Sequence, residues 1–191
     1  MPNICNYCMQ VKGKPENVEE FIKIIQTDYA YDENDNCYNP LDNGKPVERH
    51  LWRVFEAYVE SDEMSNDIRI VEISGDCAWS VKSCMCDGFG TYQSANPNGH
   101  GTTLQQESKR LQLTIEVFSE ECGMEFMEHF VFVNGECIID DCVDWSEYYT
   151  GDFDTVEEMN EEYGTDFTQE EFEADEYISV GGMDWIFREW Y

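Results

Sequence analysis

The run Leu113-Thr-Ile-Glu-Val-Phe-Ser-Glu-Glu-Cys-Gly-Met-Glu-Phe-Met-Glu-His-Phe-Val-Phe-Val-Asn-Gly-Glu-Cys-Ile-Ile-Asp-Asp-Cys-Val143 decides the fold class. Leu113 to Ser119 alternates around Leu113, Ile115 and Val117, the period of a strand with one buried face. Phe126 to Val133 and Cys137 to Val143 meet across Asn134-Gly135, a dipeptide that favours the left-handed backbone of a two-residue hairpin turn. Three successive antiparallel strands are therefore expected.

On the N-terminal side, Thr103 is placed to cap a helix running to about Gln112, with Leu104, Ser108 and Leu111 inward. Asp87 to Gly101 holds four glycines and Pro97 and reads as a loop. Trp52 to Glu60, Ile68 to Ser74 and Trp79 to Met85 read as further strands, the last continuing or pairing with the sheet. Asp28 to Lys45 is rich in Asp, Asn, Pro and Gly and reads as a long loop. Pro15 opens a helix to about Thr27. Its missing N–H costs nothing there, Glu16, Glu19 and Glu20 complement the dipole, and Val18, Phe21, Ile22 and Ile25 share a face. Asn3 to Val11 is a first strand that stops at Gly13.

On the C-terminal side, Asp154 or Thr155 can cap a short helix with the stripe Val156, Met159 and Tyr163, ended by Gly164. Thr168 and Glu171 fit a capping box for a second helix through about Ala174. Tyr177 to Val180 and Trp185 to Tyr191 read as strand or packed segments around Gly181-Gly182. The order predicts an α+β two-layer sandwich with a mostly antiparallel sheet and helices on one face. Residues 1–149 form its α+β body. Residues 150–191 add an acidic helical extension and a terminal strand on the same core. Burial of roughly 70% of the unfolded surface suits a chain of this length.

Several short motifs resemble the YubB-like ferredoxin-fold proteins of plasmids and phages: Met1-Pro-Asn-x-Cys5-Asn6, Gly13, Gly75-Asp-Cys-Ala-Trp-Ser80, Ser119-Glu-Glu-x-Gly123-x-x-Phe126-x-Glu128-His129 and Asn134-Gly-Glu136. The resemblance covers most of the first 145 residues. It implies a split βαβ, ferredoxin-like arrangement and a home on mobile genetic elements, without an iron–sulfur cluster. This chain differs from the family pattern in Val81-Lys82 after the Trp-Ser pair and in its particularly acidic C-terminal part.

Charge gives the functional direction. The chain holds 42 acidic and 11 basic residues, a formal net charge of −31. Residues 111–191 contain 24 of the acids and one base, Arg188, so −23 of that charge lies there. With 41% hydrophobic and 14% aromatic residues, this is a folded acidic surface rather than a disordered tail. No apolar run approaches a membrane span, and the N-terminus lacks a signal-peptide pattern, so a cytoplasmic protein of the bacterial host cell is expected, with no membrane partner. Most of the nine cysteines in such a setting are expected to behave as small buried hydrophobes, with no disulfide framework.

Catalytic and cofactor patterns fall short. Cys5-x-x-Cys8 with Cys84-x-Cys86 supplies four thiols for zinc and makes a Cys-ligated metal protein an alternative, yet i and i+3 on a strand point to opposite faces. Asp32 to Asn43 begins like a calcium loop but has Cys37 and Asn43 where Gly and Glu belong. Gly88-Phe-Gly90 lacks the rest of a phosphate loop, and no Pro-Cys-x-x-Cys of a deaminase occurs. Asp140, Asp141 and Asp144 suit a solvated strand end better than a hard-metal site. His129 reads as a partly buried sheet histidine beside Glu128 rather than half of a Cys–His nucleophile pair; His50 and His100 lie next to loops. No enzyme activity, no cofactor and no direct nucleic-acid contact are expected.

The carboxylates Glu157, Glu158, Glu161, Glu162, Asp166, Glu170, Glu171, Glu173, Asp175 and Glu176 are the expected partner-binding residues. Adjacent helical turns set them about 5–6 Å apart, close to successive phosphates. Phe153, Tyr163, Phe167, Phe172 and Tyr177 anchor the segment or join the interface. A basic nucleic-acid-binding protein such as a Cas effector or restriction enzyme would receive them in its groove, making the chain an inhibitor of the anti-CRISPR or antirestriction kind. The alternative is an acidic phage or plasmid accessory protein binding another protein. A homodimer through an exposed edge strand is also compatible with the sequence.

Overall fold

A computed structural model describes residues 3–27, 30–31, 37–38, 41–42, 45–47, 49–87, 101–174 and 176–189. The elements are β1 (Ile4–Gly13), α1 (Pro15–Ile25), β2 (Ala30–Tyr31), β3 (Cys37–Tyr38), β4 (Leu41–Asp42), β5 (Lys45–Pro46), β6 (Val54–Ser65), β7 (Ile68–Ala78), α2 (Val81–Met85), α3 (Leu104–Leu111), β8 (Thr114–Glu121), β9 (Phe126–Val133), β10 (Glu136–Tyr149), α4 (Val156–Tyr163), α5 (Gln169–Ala174) and β11 (Tyr177–Gly181). Seven strands form one sheet in the order β11-β10-β9-β8-β1-β7-β6, all neighbours antiparallel. The short pair β2–β3 lies within the expected 28–45 loop, and β4–β5 ends one residue past it.

Strand alternation sets the core. Cys5, Tyr7, Met9 and Val11 of β1 face α1, α2 and α3 together with Val71, Ile73 and Cys77 of β7, Ile115 and Val117 of β8, and Phe130 and Phe132 of β9. Against them pack Val18, Phe21, Ile22, Ile24 and Ile25 of α1, Val81, Cys84 and Met85 of α2, and Leu104 and Leu111 of α3. The expected helix, strand and hairpin positions around residues 3–27, 103–143 and 155–180 agree with these elements. Thr155 caps α4, accepting from the Glu158 N–H at 3.2 Å, and Gly164 closes it at φ 68°. Thr168 and Glu171 exchange capping bonds as expected, with the Thr168 N–H donating to Glu171 Oε2 at 2.8 Å.

Two expectations are corrected. The segment 79–85 is not a strand. Trp79 takes a left-handed φ of 66°, which turns the chain out of β7, and the Ser80 hydroxyl then accepts from the Ser83 N–H at 3.0 Å to start α2. β6 and β10 run longer than their apolar patterns, to Ser65 and Tyr149, because their outer halves are paired while facing solvent. Most of the expected 87–101 loop, His100, the Gly88-Phe-Gly90 motif and most of the Asp32–Asn43 run lie outside the described residues. Among the described residues no helix is long and apolar enough to cross a membrane.

Candidate functional site

Two features stand out: the carboxylates between β10 and β11, and the sheet face opposite the helices. Glu157, Glu158, Glu161 and Glu162 are exposed on α4, while Val156 and Met159 are buried beneath them. Tyr163 fixes the end of this helix by stacking on Tyr148 of β10 at 3.8 Å and meeting Phe153 edge-on at 5.5 Å. Asp166 is exposed in the connection, and Glu170, Glu171 and Glu173 are exposed on α5. Glu176 is exposed before β11; Asp175 lies outside the described residues.

The connection is held by one side chain. Asn160 donates through Nδ2 to the Phe167 carbonyl at 2.8 Å, and its Oδ1 accepts from the Thr165 hydroxyl at 2.7 Å and the Phe167 N–H at 2.9 Å. The Thr150 N–H and hydroxyl both donate to the Glu176 carbonyl, at 2.9 and 3.1 Å, tying the two ends of the segment together. Glu171 is held below the usual carboxylate range by the Thr168 N–H and hydroxyl it accepts. The acids of α4 repel one another: 157/161 and 158/162 are like-charged i,i+4 pairs, each opposing helix formation by about 0.2–0.5 kcal/mol.

On the open face of the sheet, Glu116, Phe118 and Glu120 of β8 stand beside Gln10, Cys8 and Asn6 of β1, and beyond them Glu72, Ser74 and Asp76 of β7. Glu116 is 1% exposed. Its Oε1 meets His129 Nε2 at 2.9 Å and its Oε2 accepts the Arg188 N–H at 2.8 Å. The His129 ring stacks on Phe118 at 4.1 Å. The carboxylate partner of His129 is thus Glu116 across the sheet, not the adjacent Glu128, whose side chain points to the helical face. Burial pushes Asp76 and Glu120 above the usual carboxylate range, with Glu56 and Glu147 adding like charge, respectively.

Neither cluster of candidate ligands comes together as a set, although Cys5 and Cys84 both reach Cys77 in the core. Cys5 is buried in the core, whereas Cys8 faces the open side, where burial and then Glu72 and Glu60 push its thiol up to about 11. Cys84 gives its thiol proton to the Ala78 carbonyl at 2.6 Å. Asp140 pairs with Lys82 at 2.7 Å on the helical side, and Asp141 projects to the other face beside His129. Among the described residues no group of three or more His, Cys, Asp or Glu side chains is placed to hold a metal ion.

The sequence reading misses the Glu116 site, although two signals point to it. Glu116 stands between the inward-facing Ile115 and Val117 of an alternating strand, and Arg188 is the single base after residue 110. In comparisons with known proteins, the chain matches no family model, no curated protein and no solved structure.

Proposed function

We propose that the chain is a non-enzymatic, mobile-element inhibitor of a bacterial defence nuclease, an anti-CRISPR or antirestriction protein whose carboxylates occupy a basic DNA- or RNA-binding groove. The scaffold reading is a split βαβ, ferredoxin-like body of residues 1–149. It is supported by the order β8-β1-β7-β6, in which the first and third long strands of the body are central and α1 and α3 make the two crossings. Residues 150–191 are then an addition that extends the sheet by β11 and carries the acids outward.

One observation carries the functional reading: the exposed carboxylates of α4 and α5 sit on capped helices joined by the Asn160 clamp, without a basic residue among them. Like-charged pairs that oppose helix formation have no use in folding. They gain one when a row of arginines and lysines displaces its counterions to receive them. The partner is therefore a basic nucleic-acid-binding protein, a Cas effector or restriction enzyme.

The test is competition against labelled duplex on purified members of both effector classes. Inhibition is expected to weaken at least tenfold between about 0.1 and 0.5 M salt. The fourfold variant Glu157→Gln, Glu158→Gln, Glu161→Gln, Glu162→Gln should lose it while keeping the circular dichroism of the parent. Full inhibition by that variant would remove charge mimicry by α4 from consideration.

A further inference from the structure

After β11, residues 182–189 cross the open face of the sheet as a strap with neither helix nor strand. Its fastenings are few. The Gly182 N–H donates to the Asp144 carbonyl at 2.8 Å, the Met183 N–H to Met127 Sδ at 3.2 Å, and the Arg188 N–H to Glu116 at 2.8 Å, while Lys12 Nζ donates to the Arg188 carbonyl at 2.9 Å. Trp185 and Phe187 lie over Phe118, at centroid distances of 6.3 and 5.6 Å.

The strap fits only in part. Trp185 Nε1 is buried without an acceptor, and Ile186 is 71% exposed. The Arg188 guanidinium, half exposed, stands 3.9 Å from Glu116 Oε1, beyond hydrogen-bond reach. Clefts open on both sides of it. One of about 520 Å³ runs past His129, Asp141 and Ile186; another of about 300 Å³ runs past Gln10, Glu63, Glu72 and Phe187. A carboxylate as deep as Glu116 needs a hydrogen-bonding cationic partner, and part of what it has comes from this loosely held segment.

We infer that the open sheet face is a recognition surface for an extended segment of a partner protein carrying an arginine next to an aromatic residue, and that residues 182–189 are the chain's own stand-in for that segment. The partner's arginine would take a closer, bidentate position on Glu116 while its aromatic side chain replaces Phe187 over Phe118. This surface is distinct from the α4 and α5 carboxylates and does not depend on their role.

The experiment uses a fluorescein-labelled peptide copying residues 184–189 and the full-length protein. The double variant Trp185→Ala, Phe187→Ala, which removes both rings that hold the strap over Phe118, should bind the peptide at least tenfold more tightly than the parent, and adding Glu116→Gln should abolish the gain. Equal binding by parent and double variant, or binding by neither, overturns the inference. Should the double variant lose its native circular dichroism, hydrogen exchange on the parent decides: saturating peptide should deprotect amides 183–189 while β8 and β9 stay protected, and unchanged strap exchange overturns it. The fourfold α4 amide variant should bind the peptide as the parent does, which separates this surface from the proposed inhibitory one.

Discussion

At the level of single residues, the most consequential placement is Glu128. Its side chain leaves β9 toward the helices, is 3% exposed, and accepts from the Val81 N–H at 2.9 Å and the Ser119 hydroxyl at 2.8 Å. It thereby supplies the first turn of α2 with an acceptor that the local sequence lacks. Burial outweighs these bonds and holds the carboxyl above its usual range. The folded chain thus binds a proton at Glu128 more readily than the unfolded chain does. That contribution is complete below the unfolded value and is lost as pH rises through the folded one. Glu128→Ala, which strands the Val81 and Lys82 N–H groups and the Ser119 hydroxyl, should cost about 1–3 kcal/mol in denaturant melts. Glu128→Gln keeps an acceptor and should cost less, and the parent should gain on it as pH falls from neutrality through the usual carboxylate range. A difference that stays constant over this interval would contradict the assignment.

Among the elements, the α4–α5 connection depends on a single amide side chain. Asn160→Ala removes three hydrogen bonds, each worth about 0.5–1.5 kcal/mol, and should speed amide exchange at 165–168 while β8 and β9 exchange as before. If the carboxylates act from fixed positions, the same variant should weaken inhibition without changing net charge. Both short helices are legible in the sequence because their caps, Thr155 with Gly164 and Thr168 with Glu171, are local devices. So is the β9–β10 hairpin, whose Asn134 and Gly135 take φ of 50° and 88°. The strand expected over 79–85 fails for the opposite reason. Besides the local Ser80 cap, Val81 to Met85 becomes helical through a distant acceptor, Glu128, and through a positive φ at Trp79 that no local preference for a bulky residue foretells. Likewise the site at Glu116 joins residues 72 positions apart, beyond the reach of any periodicity. The described tail carboxylates up to Glu173 lie where their sequence neighbours suggest, on exposed helical turns and the connection between them, while Glu176 follows the second helix.

For the molecule as a whole, the net charge of −31 opposes compactness. Raising NaCl from about 0.01 to 0.5 M screens that repulsion and should raise the melting temperature, whereas a protein stabilised chiefly by surface ion pairs would move the other way. Among the described ion pairs, Arg69 joins Glu19 of α1 to Asp62 of β6, and Arg110 with Arg49 encloses the buried Glu107 of α3. Glu20 also meets Arg110 and Asp140 meets Lys82, yet with 42 acids to 11 bases most of the negative charge has no basic residue to offset it. At one end of the sheet this surplus has a use. β6 is an outermost strand with Tyr58 and Met64 exposed, the kind of border to which a second polypeptide readily adds. Glu56, Glu60, Asp62 and Glu63 punctuate that border, so two copies brought together would confront acid with acid. The molecule therefore carries its own guard against clumping, strongest in dilute buffer and weakest in brine, where concentrated stocks should be the first to turn cloudy.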